Sequence, residues 1–231
     1  MHFAPQRRLF LLQSLLLGLA LGGGGCVPMP VRQGVHRLEG ELRVDGQVAG
    51  PETLVRPGNT VTTGAAAQTV LVIGEDAFLL GGKTTVAFHP APSSPPAPAA
   101  APVASSAAVK AQGVMGFTLQ TGRILSVFAS GARTLKVPSA VIGVRGTGLF
   151  LQVEPERDYV CLCYGQAEIR MNDDPGMREF LQTRHHESPR FLAAGTPIRE
   201  APMLNHTDAE LTMLEALVGR QPPFVDERFR Y

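Results

Sequence analysis

The sequence predicts a mainly β protein: an antiparallel roll or sandwich of short strands, followed by a C-terminal extension that contains one α-helix. Glycine and proline are abundant, at 25 and 19 of 231 residues, while tryptophan is absent, and this mix is typical of short strands joined by tight turns. Apolar and polar residues alternate in several segments of residues 32–171, as in half-buried strands. Apolar residues at helical spacing, preceded by the sequence of a helix N-terminus, occur once, after residue 205.

Residues 1–26 have the pattern of an export signal. Arg7 and Arg8 are cationic, residues 9–21 are mostly apolar, and four glycines precede Cys26. The apolar stretch is shorter than the roughly 20 residues that a spanning helix needs. The run that starts at Arg7 resembles a twin-arginine signal, and the general secretory route stays open beside it.

Cys26 stands where a lipoprotein carries its lipid. However, Gly23 occupies the position at which such signals have a branched apolar residue. Two interpretations therefore stay open: a lipid anchor at Cys26, or cleavage near Gly25 that leaves Cys26 free or in a disulfide. Both place the mature protein in the periplasm or beyond, where disulfides can form.

Strand patterns begin near residue 35. Leu38, Leu42 and Val44 share one face of an alternating segment, which predicts a half-buried strand, and Asp45-Gly46 after it is a hairpin signal. Further short strands are predicted at residues 69–73, 78–80 and 85–88.

Residues 90–112 differ in composition, since they are almost entirely proline, alanine and serine. Such a segment cannot bury enough apolar surface to offset the entropy lost on ordering. We interpret it as an exposed, extended insertion at a loop tip of a β domain that spans residues 32–171. A docking arm is the alternative interpretation.

Strand patterns resume at residue 117 and continue to residue 153, with glycine turns between them. Residues 159–171 then predict a single hairpin with Gly165-Gln166 as its turn. Period-two alternation predicts that one face of its first strand carries Val160, Leu162 and Tyr164 and the other face Tyr159, Cys161 and Cys163.

Residues 172–231 form the C-terminal extension. Thr207 to Glu210 has the sequence of a capping box, and apolar residues follow it at helical spacing, so a helix is predicted at about 208–218. Gly219 is suited to the C-terminal end of that helix, and the two prolines after it prevent its continuation.

Two stretches resemble the FecR family, which is named after ferric-citrate signalling. One is Val55 to Gly64. The other joins Leu119 to Arg123 with Pro138 to Thr147, in which Ala140-Val141-Ile142-Gly143-Val144-Arg145-Gly146-Thr147 is similar to the family's most specific signature. The resemblance covers about residues 35–170 and implies a FecR-like β fold, which by itself does not fix a function.

Membrane-bound FecR proteins resemble anti-sigma regulators, with a cytoplasmic region ahead of a spanning helix. Here six residues precede Arg7, so we expect a free-standing envelope version that binds no sigma factor. Within the signature, the candidate ligand or turn residues are Arg145, Gly146 and Thr147. Arg145 either reaches a ligand carboxylate or braces the turn through backbone carbonyls, and Gly146 permits a bulge or a positive φ.

The two cysteines near residue 160 could share a metal ion with histidines of the extension. Side chains at i and i+2 project from one face of a strand, and two thiolates with imidazoles suit zinc or copper. The candidate ligands are Cys161, Cys163, His185, His186 and His206. The alternative is that both cysteines are small buried residues. A disulfide between them is disfavoured, because i and i+2 positions lie near the upper limit of bridging distance.

The remaining patterns favour a protein that is not an enzyme. The formal net charge is +1 and the sequence has no basic patch, so nucleic acid is not an expected partner. Gly81 to Thr84 is not a P-loop, because Ala77 stands where the first glycine belongs, and no Gly-x-Ser-x-Gly elbow occurs.

We expect a binding, sensing or scaffold module of the bacterial cell envelope whose partner is an envelope protein, a polymer or a small ligand. The alternative is a metal- or haem-binding redox accessory protein that uses the cysteine and histidine set.

Overall fold

The computed structural model describes residues 31–91 and 113–225. Within them the chain forms strands and one helix near the C-terminus, so the mainly β class is confirmed. The elements are β1 (Gly34–Glu39), β2 (Leu42–Val44), β3 (Gln47–Ala49), β4 (Thr60–Thr63), β5 (Gln68–Ile73), β6 (Asp76–Leu80), β7 (Thr85–His89), β8 (Gly116–Val127), β9 (Ala132–Lys136), β10 (Ala140–Val153), β11 (Asp158–Met171), β12 (Arg178–Thr183), β13 (Arg190–Leu192), β14 (Arg199–Glu200) and α1 (Asp208–Leu217). The predicted export signal, Cys26 and most of the proline-rich insertion lie outside the described residues. No helix in the described part of the chain is long and apolar enough to span a membrane.

The strands belong to one open, mixed sheet. Its main path runs β14-β13-β11-β10-β9-β8-β7-β4-β2-β3, and the remaining strands pair beside it. β8 and β9 are parallel, while the long central strands β10 and β11 are antiparallel along their whole length. β10 pairs with β9 through its first half and with β8 through its second half.

One face of the sheet packs into an inner core. Its largest group is four phenylalanines, Phe78, Phe88, Phe117 and Phe128, whose ring centroids lie between 4.9 and 6.3 Å from their neighbours. Most of these rings meet edge to face or tilted, which is the arrangement that aromatic quadrupoles favour. Apolar side chains from β10 and β11 complete this core.

The opposite face of the sheet has a covered half and an open half. Residues 201–225, which we call the C-terminal arm, cover the half formed by β5, β6, β8 and the adjoining parts of β10 and β11. Leu211, Leu214 and Phe224 of the arm pack there against an outer core that includes Phe150 and both cysteines. The open half is formed by β9, β12 and the remaining parts of β10 and β11, where side chains are exposed or half-buried.

The hairpin predicted for residues 159–171 is wrong. β11 runs through this segment without a turn and pairs with β10 throughout. Gly165 has a φ of +101°, and a Cβ there would lie 2.6 Å from the Thr147 side chain, so this glycine marks a bulge. The pairing also steps from Leu162 opposite Leu149 to Tyr164 opposite Gly148, so Cys163 is an extra residue on β11. This second irregularity shifts the alternation and places Tyr164 in the outer core, although Leu162 lies in the inner core as predicted.

The predicted helix is confirmed. The Thr207 hydroxyl accepts a hydrogen bond from the Glu210 N–H at 3.3 Å, and the Glu210 carboxylate accepts one from the Thr207 N–H at 2.8 Å, which is a complete capping box. At the other end Gly219 has a φ of +72°, and the Arg220 N–H donates to the Glu215 carbonyl at 2.8 Å, as in a Schellman motif.

Residues 172–205 continue the sheet. β12 pairs with one half of β11 and β13 with the other, and β14 extends from β13. This pairing fixes the turn after β12 beside the first residues of the arm, and the candidate site lies at that junction.

Candidate metal centre

Four of the five predicted ligands meet under the C-terminal arm. The Cys161 Sγ lies 3.4 Å from the His186 Nδ1, and the Cys163 Sγ lies 3.4 Å from the His206 Nε2. The two imidazole nitrogens are 3.1 Å apart. These four ligand atoms all lie within 4.8 Å of one another, and all four residues are buried.

Three separate segments deliver these side chains. Cys161 and Cys163 project from the outer face of β11 because alternate strand residues share a face. His206 directly precedes the helix N-cap, and its ring stacks on Phe150 with 4.5 Å between centroids and 11° between planes. His186, in the turn after β12, has a φ of +56°, which is uncommon for a residue with a Cβ. Its backbone N–H donates to the Cys163 carbonyl at 3.0 Å, and this bond holds the turn against the strand.

The spacing of the ligand atoms fits a tetrahedral ion. Zn–S bonds of about 2.3 Å and Zn–N bonds of about 2.05 Å at tetrahedral angles put sulfur and nitrogen ligands about 3.6 Å apart and two nitrogens about 3.3 Å apart. The observed separations are 3.4, 3.4 and 3.1 Å. The remaining separations are within 4.8 Å, so the four side chains can enclose one ion after shifts of about an ångström or less.

The outward nitrogen of each imidazole has its own acceptor. The His206 Nδ1 lies 2.6 Å from the Leu204 carbonyl oxygen, and the His186 Nε2 lies 3.1 Å from the Asp208 carboxylate. Metal-bound histidines are oriented in this way by a carbonyl or a carboxylate. If both outward nitrogens carry the proton, the inward nitrogens turn lone pairs toward each other at 3.1 Å, and a cation between them removes this conflict.

The electrostatics of the pocket also favour a cation. Hydrogen bonds from Cys163, His186 and His206 lower the pKa of Cys161 to about 3 although burial opposes this, whereas burial raises the pKa of Cys163. Burial disfavours the charged form of His186, but its contacts with Cys161 and Asp208 outweigh burial and raise the pKa of His186. One thiolate is thus present before a metal binds, and a bound ion would draw the proton from the second thiol.

His185 is the predicted ligand that lies outside the cluster. Its Nε2 is 2.9 Å from an Asp208 carboxylate oxygen, its side chain is largely exposed, and its ring stacks on Phe224. Asp208 thus contacts both neighbouring histidines, and sequence reasoning assigned it no role at the site. Its position two residues after His206, inside the capping box, was the signal that could have drawn attention to it.

The signature residues Arg145, Gly146 and Thr147 lie elsewhere. Gly146 has a φ of +53° at the bulge, and the Thr147 side chain is buried. Arg145 is exposed on the open half of the sheet, and among the described residues its guanidinium donates no hydrogen bond to a backbone carbonyl. The structure therefore offers no support for a bracing role of Arg145.

Loss of the Asp208 carboxylate is expected to weaken metal binding. Without its acceptor, His186 loses its orientation and part of its basicity, so Asp208→Ala should lower zinc affinity about 10–100-fold. Competition with a chromophoric chelator would measure the change. The zinc affinity of Asp208→Asn should lie between those of the parent protein and Asp208→Ala, because the amide oxygen still accepts a hydrogen bond. The exposed Glu156→Ala serves as a control. Equal affinity in all four proteins would contradict the assigned role.

Comparison with known proteins does not assign the chain to a family. No protein-family model matches the chain, and no curated protein matches it. Two crystal structures, at 1.65 and 2.50 Å resolution, of a protein from Parabacteroides distasonis ATCC 8503 described as a putative anti-sigma factor are similar to the chain, with 10% sequence identity and a TM-score of 0.43. The match covers 62% of this chain and 58% of that protein, so the chain spans less than two thirds of its length. Membership of the FecR family stays a prediction carried by the sequence motifs.

Proposed function

We propose that this protein is a non-catalytic module of the bacterial cell envelope whose C-terminal arm is fastened to the sheet by one Zn²⁺ ion. The observation that carries the proposal is the convergence of two thiols and two imidazoles, all buried, with ligand atoms within 4.8 Å of one another. Three chain segments far apart in sequence contribute to it. The ion would therefore join elements that are otherwise held together only by packing and hydrogen bonds.

Zinc fits this set of ligands better than copper or haem. Two sulfurs and two nitrogens in tetrahedral array are typical of zinc, whereas electron-transfer copper prefers one thiolate with two histidines and a weak axial ligand. The space next to His206 is a cavity of about 20 Å³, too small for a haem macrocycle unless the arm moves. These points favour a structural ion over the redox role that we considered from the sequence.

A closed ligand set supports a role without catalysis. Catalytic zinc sites keep one position open for water or substrate, whereas structural sites use four protein ligands. Here the four buried side chains would fill the coordination sphere. We therefore place the biological activity of the protein in its surface, as a binding, sensing or scaffold module, and we expect neither nucleic acid nor a sigma factor as its partner.

Metal analysis of the purified protein tests this proposal. We expect one zinc ion per chain, its loss in Cys163→Ala, and its retention in the control His36→Ala, because His36 lies in β1 and takes no part in the cluster. Replacement by Co²⁺ should give the visible absorption bands of a tetrahedral site with sulfur ligands. Protein that is empty after purification without chelator, and that takes up no zinc at micromolar concentration, would refute the proposal.

A further inference from the structure

The open half of the sheet presents an ordered face of twelve residues that lies apart from the metal centre. Four strands contribute three residues each, in register across β9, β10, β11 and β12. The rows are Lys136, Val141, Arg170 and Arg178, then Thr134, Gly143, Glu168 and Phe180, then Ala132, Arg145, Gln166 and Gln182. Most of the side chains that alternate with these residues, such as Leu135, Ile142 and Leu181, belong to the inner core. We call this surface the cationic face.

The cationic face concentrates positive charge. It carries four cationic side chains and one carboxylate, on a chain whose formal net charge is +1. Glu168 pairs with its neighbour Arg170 at 3.0 Å. Lys136, Arg145 and Arg178 form no ion pair with any described residue. Their charge is therefore available to an anionic ligand.

The cationic face is also grooved. Gly143 lies in its middle row, and a Cβ at that position would meet no atom within 4 Å. Two grooves, of about 280 and about 190 Å³, share Thr134, Gly143 and Glu168 as lining residues. Phe180 ends the same row and is 62% exposed, so its ring is accessible to a ligand that lies on the cationic face.

These features together suit a sugar polymer better than a peptide. Peptides add to free strand edges or place a helix in an apolar groove, whereas the OB-fold binds oligosaccharides on a sheet face. An exposed aromatic ring can stack on the apolar face of a sugar, and the amides of Gln166 and Gln182 can bond its hydroxyls. A guanidinium such as that of Arg145 matches the geometry of a carboxylate.

We propose that the cationic face binds an anionic polysaccharide that carries carboxylate groups, with Phe180 as the stacking platform and Arg145 and Arg178 as the carboxylate partners. The proposal deepens the binding role proposed above by naming a ligand class, and it rests on that role. It makes no use of the metal centre, so either proposal can fail while the other stands. It also gives Arg145 the ligand-contacting role that the sequence left open.

Titration with oligogalacturonate tests the assignment. We expect binding that weakens with added salt, and Arg145→Gln and Arg178→Gln should each reduce affinity about tenfold. The control Arg56→Gln removes an exposed charge far from the face in sequence and should leave affinity unchanged. All three residues are exposed, so the variants should fold as the parent does.

Two further measurements separate a polysaccharide from other polyanions. Phe180→Ala should weaken oligogalacturonate binding severalfold while leaving the weaker, charge-driven binding of poly-glutamate unchanged. A neutral dextran should not bind. The proposal is overturned if oligogalacturonate does not bind at millimolar concentration. It is also overturned if poly-glutamate binds equally well and Phe180→Ala has no effect, since the face would then be an acidic-peptide or general anion surface.

Discussion

Removal of the metal is expected to release the C-terminal arm and to lower the free energy of unfolding by about 4 kcal/mol, relative to protein in free zinc at roughly 1,000 times its dissociation constant. The reason is that metal binding to a site assembled by folding contributes directly to folding stability. The four ligands come from β11, the turn after β12 and the residue before the helix N-cap. Without the ion, the buried thiols and imidazoles keep only their contacts with one another and with their outer acceptors to offset their desolvation.

The arm is the element expected to respond first. α1 has ten residues, which is too short for a helix to persist alone in water, so it depends on packing against the outer core. Hydrogen exchange with and without chelator measures this dependence residue by residue. Amides of α1 should lose protection on chelation, while amides of β7, which pairs with β4 and β8 and has no residue in the outer core, should keep theirs.

Two controls make the result specific to the ion. Chelator should have no further effect on Cys163→Ala, because that variant holds no metal. Restoring zinc should restore protection in the parent protein but not in the variant. If α1 keeps full protection in metal-free parent protein, the ion does not fasten the arm, even if metal analysis finds zinc in the cluster.

Local sequence patterns predicted those parts of the site that depend on local rules. Period-two alternation placed both cysteines on one face of a strand, and the capping box located the helix that brings His206 to it. These features follow from interactions within a few residues of the chain. The predicted face was right for Cys161 and Cys163 because the alternation changes only after them, at Tyr164.

Other parts depend on pairing between distant segments and could not be predicted in this way. Tyr164 lies in the outer core because the pairing of β11 with β10 shifts register between Leu162 and Tyr164. The choice of His186 over His185 depends on a left-handed backbone conformation at His186, which a histidine seldom adopts and which only the surrounding contacts stabilise. Sequence spacing alone left the two histidines equivalent.

Glu215→Ala is expected to destabilise the protein by about 3–5 kcal/mol without loss of metal. The substitution removes the buried partner of an ion pair at the other end of the arm. Glu215 is 3% exposed and accepts hydrogen bonds from the Tyr164 hydroxyl and from the Arg220 Nε. Arg220 also donates to the Glu75 carbonyl at 2.7 Å. Burial and the negative charge of Glu215 raise the pKa of Tyr164, so this phenol stays a neutral donor that needs its acceptor.

Chemical denaturation, with metal content measured in parallel, checks this expectation. Glu215→Gln keeps an acceptor for Tyr164 and should cost less than Glu215→Ala, while the exposed Glu52→Ala should be neutral. A loss below 1 kcal/mol in Glu215→Ala would show that Arg220 and Tyr164 find water or other partners, and that packing alone holds this end of the arm.

The two ends of the arm should be coupled if they fasten one cooperative unit. Once chelation has released the arm, the contacts of Glu215 are already lost, so Glu215→Ala should cost much less in metal-free protein than in zinc-bound protein. A thermodynamic cycle of the two changes measures that coupling. Additive effects would mean instead that the segment at His206 and the segment at Arg220 open independently, and the ion would then secure only the residues next to it.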